Sequence, residues 1–327
     1  MTALLLAAAF ALIVAGAVLF TNAVEWAGRR LDLGQGAVGS LLAAVGTALP
    51  ESLIPVVAVL AGSKSEEVAI GAIIGAPFML GTVAMLLVGA AALGFRGRRS
   101  SGAELRVSAA PVRRDLGLFL PCFAAGLLLG VIGSSVLDLL GMVGLLVAYG
   151  LYARATVRAG GSAEEEPKPL IFDRSRDDPP TGFQLIAQLV VGLVLIVGGA
   201  ELFVDEIVVV AESLGISTLV LSLVLAPLAT ELPEKLNSVI WIRREKDQLA
   251  VGNITGAMAF QSTVAVALGL LITDWELDRF AVAAGIAGLA GGALAFWRLP
   301  QGRLGVWAVA GWSALFVGFI AYASFAG

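Results

Sequence analysis

Two short stretches of this sequence carry a hydroxyl, a proline and a carboxylate in the same order. Thr47 and Glu51 stand four residues apart, as do Thr230 and Glu234, so in a helix each pair shares a face. Pro50 has no N–H for the carbonyl of Gly46, and Pro233 has none for that of Ala229, so each segment offers a backbone oxygen where its helix breaks. Pro227 does the same for Leu223. Hard cations such as Ca²⁺ take roughly six to eight oxygens from carboxylates, carbonyls, hydroxyls and water. Glu51, Glu234, Thr47, Thr230 and the carbonyls of Gly46 and Ala229 supply those types and are the candidate ligands.

The elements that must position them are membrane helices. The chain is 58% hydrophobic and only 14% charged, with a mean hydropathy of +0.93, which excludes an ordinary water-soluble domain. Its apolar runs are apolar all round, unlike the alternating strands of a transmembrane barrel. Ten such runs are expected, at 3–22, 36–61, 67–94, 115–133, 135–154, 183–203, 215–242, 248–272, 279–297 and 303–325. No Lys or Arg precedes the first run, so a cleaved signal peptide is not expected despite Ala15-Gly16-Ala17. The absence of histidine and the single Cys122 leave carboxylates to carry any metal or proton chemistry.

Basic residues set the orientation. With the N-terminus outside, the inner loops receive all but three of the 21 Lys and Arg, the exceptions being Lys64, Lys235 and Arg279. The predicted location is the cell inner (plasma) membrane, spanned many times. The one long hydrophilic stretch, 155–182, with Gly160-Gly161, Glu164-Glu165-Glu166 and Pro179-Pro180, reads as a cytoplasmic linker between a first half, 1–154, and a second, 183–327. Laid over itself with Glu51 on Glu234, the chain places Gly16 on Gly199 and Thr47-Ala48-Leu49-Pro50-Glu51 on Thr230-Glu231-Leu232-Pro233-Glu234. A shift of two residues brings Gly71 and Gly75 onto Gly252 and Gly256. Five helices per half is odd, so the expected fold is an all-α integral membrane protein of ten transmembrane helices in two inverted five-helix repeats, with its site at the midplane between them.

An intramembrane carboxylate costs at least about 2.5 kcal/mol and is rare without function. Two at matched repeat positions therefore favour an ion site over simple proline kinks. Lys235 lies about 100° round the helix from Glu234 and is read as snorkelling or as pairing with Glu231. Asn253, Thr255 and Gln261 are further donors, for an ion or for a neighbouring helix. No nucleophile, base and orienter set, phosphate loop or cofactor motif is present, so neither an enzyme nor a bound cofactor is expected.

These segments resemble the α-repeats of the calcium/cation antiporter superfamily, the sodium/calcium exchanger branch in particular, over nearly the whole chain. The family's Gly-Thr-Ser-Leu-Pro-Glu is matched by Gly46-Thr47-Ala48-Leu49-Pro50-Glu51 and Ala229-Thr230-Glu231-Leu232-Pro233-Glu234. The resemblance implies that Glu51 and Glu234 are the central calcium ligands, with Thr47 and Thr230 beside them. Several polar positions depart from it: Ala48, Ala72, Ala76, Pro77 and Leu80 in the first repeat, and Glu231, Ala257, Met258 and Gln261 in the second, while Asn253 is kept. Side chains that serve sodium sites in the family are thus replaced, and Glu231 adds a carboxylate able to bind a cation or a proton. The expected function is a secondary antiporter moving Ca²⁺ in exchange for Na⁺ or H⁺. A degenerate sensor or scaffold of the same fold, or an antiporter for another cation, is the alternative. The expected partners are the lipid bilayer and inorganic cations, with no nucleic acid; the sequence leaves the oligomeric state open.

Overall fold

A computed structural model of the chain describes residues 2–30, 51–61, 66–159, 169–173, 180–302 and 304–326, with backbone alone for 25, 28, 29, 232–234 and 326. The described residues form helices α1 (Thr2–Arg30), α2 (Glu51–Ala61), α3 (Glu66–Gly94), α4 (Ala109–Ile132), α5 (Ser135–Arg158), α6 (Gly182–Leu214), α7 (Thr218–Arg243), α8 (Asp247–Ile272), α9 (Arg279–Arg298) and α10 (Val306–Ala326). Eight of them are long and apolar enough to cross a membrane; the apolar parts of α2 and α7, Glu51–Ala61 and Thr218–Glu231, are shorter.

Several helices run past the ends that charge had suggested. The first was expected to stop at 22 and reaches Arg30, and the sixth was expected to stop at 203 and reaches Leu214. Glu201, Asp205, Glu206 and Glu212 do not interrupt α6, because a charged side chain leaves the backbone ladder intact. The helix stops where Gly215 turns left-handed at φ 65°. The fourth begins at Ala109 rather than 115, and α5 carries its ladder to Arg158, four residues into the expected linker.

Several contacts of the two halves match. α1 lies along α6; α3 packs on α7 and α9, α8 on α4, and the outlying α5 and α10 rest on α8 and α3. In α3 and α8, 83% and 72% of the membrane-length stretch is buried, against 6% in α5 and 17% in α10, so α3 and α8 are the central posts. A Cβ on Gly16 would lie 2.9 Å from the backbone N of Ile196, and one on Gly199 would lie 3.0 Å from that of Ile13. Gly16 and Gly199, like Ile13 and Ile196, are counterparts in the repeat, so this pair of contacts reads the same from either helix.

Loops clamp the ends of the central helices. In the α3–α4 loop, Nη2 of Arg99 donates to both carboxylate oxygens of Asp247 at 2.8 and 2.6 Å, with both side chains buried, and the N–H of Arg106 donates to the same carboxylate at 2.8 Å. At the start of α3, Glu66 accepts the N–H of Asp274 at 2.6 Å and Glu67 that of Leu219 at 3.2 Å. Asp247 and Glu66 are repeat counterparts, each opening its helix, where a carboxylate also suits the helix dipole. Glu245, on the tight α7–α8 turn, accepts both the N–H and the hydroxyl of Ser100, which hold its carboxyl below the usual range.

Part of the stretch between α5 and α6 is fastened. Leu170 is buried with Ala23 of α1 and Leu185 of α6. The N–H of Ile171 donates to Asn22 at 3.2 Å, and that of Phe172 to Gln188 at 2.9 Å. Gln188 in turn donates to Asn22 and to the carbonyl of Leu19, both at 2.9 Å. The strap therefore grips both helices of the seam.

Candidate cation site

Glu51 is the first described residue of α2 and is half-buried, with its Oε2 closed off from solvent. One turn further on, Ile54 enters a buried apolar cluster with Ile13 of α1, Ala72 of α3, Phe203 of α6 and Ala226 and Ala229 of α7. The helix of the first candidate carboxylate and the segment before the second are thus walls of one packed region. Gly46, Thr47 and Pro50 lie outside the described residues, and so does the side chain of Glu234, whose backbone is helical. Among the described residues no three Asp, Glu or Cys side chains gather closely enough to hold a metal by themselves.

Helix α7 carries the remaining candidates. Ala229 is fully buried and Thr230 is 3% exposed. The Thr230 hydroxyl lies 3.3 Å from the carbonyl of Ala226 and 3.5 Å from that of Pro227, so it donates into its own helix. Glu231 and Lys235, one turn apart, are 1% and 2% exposed and form an ion pair at 2.5 Å. Pairing, rather than snorkelling, is therefore the arrangement of Lys235. Asn253, on α8, is half-buried.

Small residues bring α3 against α7. A Cβ at Gly75 would stand 2.3 Å from the carbonyl oxygen of Leu223, the oxygen that Pro227 releases from the α7 ladder. A Cβ at Gly71 would meet the side chain of Ser222 at 2.6 Å. Glycine is required at both because the two backbones nearly touch.

Each central helix is interrupted by a π-helical turn, Leu80–Ala84 in α3 and Gln261–Ala265 in α8. They occupy counterpart positions, and each has a threonine folded back on its helix: Thr82 onto the carbonyl of Phe78 at 2.6 Å, Thr263 onto that of Ala259 at 2.7 Å. Such turns widen the helix by one residue and are frequent at functional sites. The matched Thr82 and Thr263 were a visible signal for them that the sequence reading did not use. Gln261, on the turn in α8, is 1% exposed, and its Nε2 has no partner among the described residues.

A polar knot went unread in the sequence. Asp115 of α4 accepts the hydroxyl of Thr255 at 2.7 Å and that of Tyr152 at 2.9 Å, tying α4 to α8 and α5. Thr255 thus bonds between helices, the second of the two roles expected for it.

Known proteins supply the remaining observations. A family model described as sodium/calcium exchanger protein matches residues 1–158 and 184–325. The inner membrane protein YrbG of Escherichia coli is 28% identical over 255 residues, 75% of this chain and 71% of its own. Among solved structures, the fold is similar to that of the H⁺/Ca²⁺ exchanger CAX (TM-score 0.76, 17% identity, 96% of this chain and 79% of that one). It is also similar to that of the sodium-calcium exchanger NCX_Mj (TM-score 0.62, 22% identity, 98% of this chain and 99% of that one).

Proposed function

We propose that this chain, which belongs to the sodium/calcium exchanger protein family, is a secondary active antiporter that moves Ca²⁺ in exchange for Na⁺ or H⁺. Membership makes it a multi-pass membrane transporter of inorganic cations and not an enzyme. The ion is held at the midplane by Glu51 and Glu234, with the hydroxyls of Thr47 and Thr230, the carbonyls of Gly46 and Ala229, and Asn253 from α8 completing the oxygen set. Glu231 stands at the edge of that set, engaged by Lys235. The ten helices form two inverted repeats, 1–154 and 183–327, joined by a cytoplasmic linker at 155–182, in the inner membrane with the N-terminus outside.

The observation that carries this reading is the matching of features between the two halves, the Gly16–Ile196 and Gly199–Ile13 contacts and the paired π-helical turns. A duplicated frame with one carboxylate per half presents the same ligands to either side as α1 and α6 move past it, which is what alternating access requires. Ca²⁺ uptake into proteoliposomes under an imposed Na⁺ or pH gradient tests it, and the gradient that drives uptake names the counter-ion. Glu51→Ala and Glu234→Ala should each lower uptake by about 100-fold or more, since each removes a central charge from a hard-cation site. Undiminished flux would remove both residues from the site, and binding without flux under either gradient would favour a sensor.

A further inference from the structure

We propose that Lys235 is a tethered cation: its ammonium permanently occupies the Glu231 carboxylate, and this keeps a monovalent ion such as Na⁺ from binding beside the divalent site. The inference rests on Glu51 and Glu234 being the cation carboxylates.

Glu231 and Lys235 are almost fully buried, 2.5 Å apart and one turn apart on α7. Beyond each other, neither the Glu231 oxygens nor Lys235 Nζ has a hydrogen-bond partner among the described residues. A buried carboxylate stripped of water needs a compensating positive charge, and here that charge is covalently attached to the same helix. The pair brackets Glu234, three residues beyond Glu231 and adjacent to Lys235. Glu51, Glu231, Glu234 and Lys235 together carry two net negative charges, which one divalent cation neutralises. Without the ammonium, a third negative charge would remain for a monovalent ion to balance. Thr230, the neighbouring hydroxyl, is turned into its own helix and does not solvate Glu231. Lys235 therefore does at this point what a free ion would otherwise do, and it cannot be exchanged.

The test is ²²Na⁺ and Ca²⁺ binding to purified, detergent-solubilised protein, which needs no transport. Lys235→Met should acquire saturable Na⁺ binding that both the unaltered protein and the double variant Glu231→Gln/Lys235→Met lack. Equal Na⁺ binding by all three, or none by a well-folded Lys235→Met, would overturn the proposal. Should Lys235→Met not fold, Glu231→Gln decides. Its unpaired ammonium beside Glu234 should weaken Ca²⁺ binding about tenfold or more, and the double variant should recover it. Unchanged Ca²⁺ affinity in Glu231→Gln would overturn the proposal. If even the unaltered protein binds no Ca²⁺, the cation-site reading falls, while Na⁺ binding by Lys235→Met still decides the role of Lys235.

Discussion

Close approach of backbones sets the tolerance of individual positions. At Gly75 a methyl group would stand 2.3 Å from a main-chain oxygen that cannot turn away. Gly75→Ala should therefore cost about 1–3 kcal/mol by overpacking, read as a lower melting temperature in detergent. Gly144, exposed on α5 with nothing within 4 Å, is the control: Gly144→Ala should hold or slightly raise that temperature, alanine being the better helix former by about 1 kcal/mol. The recurrence of carboxylates, prolines and glycines is visible in one string of letters, but of the glycines matched between α3 and α8 only Gly71 and Gly75 press on a neighbouring helix, and Gly256 meets nothing within 4 Å. Glu231 and Lys235 show the limit. Their i,i+4 spacing permits a pair, but a long lysine side chain can also reach away along its helix, and only packing against neighbouring helices decides.

Single helices owe their ends and irregularities to partners distant in sequence. Arg99 and Asp247 are 148 residues apart, and no periodicity announces such a meeting. Charges in and after α1, α4, α5 and α6 suggest breaks, but the backbone ladder of each helix runs on through them. The π-helical turns leave the apolar pattern almost unchanged, so periodicity does not reveal them, and only the matched Thr82 and Thr263 mark their places. The clamp at the head of α8 yields a sharp expectation. Asp247→Ala strands the buried guanidinium of Arg99, and removing one member of a buried pair costs about 3–5 kcal/mol. Thermal unfolding should shift accordingly, and hydrogen exchange should rise first in the α3–α4 loop and the first turn of α8. A melting temperature equal to that of the unaltered protein would show that the clamp contributes nothing.

Across the whole molecule, the duplicated order of elements was visible from the sequence, whereas the docking of Leu170–Phe172 on α1 and α6 was not, because the surrounding stretch is rich in charge and proline. The seam it straps can be probed directly. Cys122 is the chain's sole cysteine, so a Cys122→Ser background carrying Phe10→Cys and Phe203→Cys places two thiols where two rings meet at 5.7 Å across α1 and α6. A short disulfide-containing cross-linker should join them and arrest Ca²⁺ uptake, and reductant should restore it; full flux in the cross-linked protein would mean that the two helices need not slide.

The close approach of α1 and α6 has a further consequence. Gly16 meets Ile196 and Gly199 meets Ile13 at counterpart positions, while Gly192 presses on Phe20 where the other helix has Ala9, so the two sides of the seam match in part only. The segment fastened through Asn22 and Gln188 grips only one end of it. Any displacement of α1 against α6 must therefore break the bonds from Ile171 and Phe172 or carry that stretch with it, which ties the chain between α5 and α6 to the position of the seam.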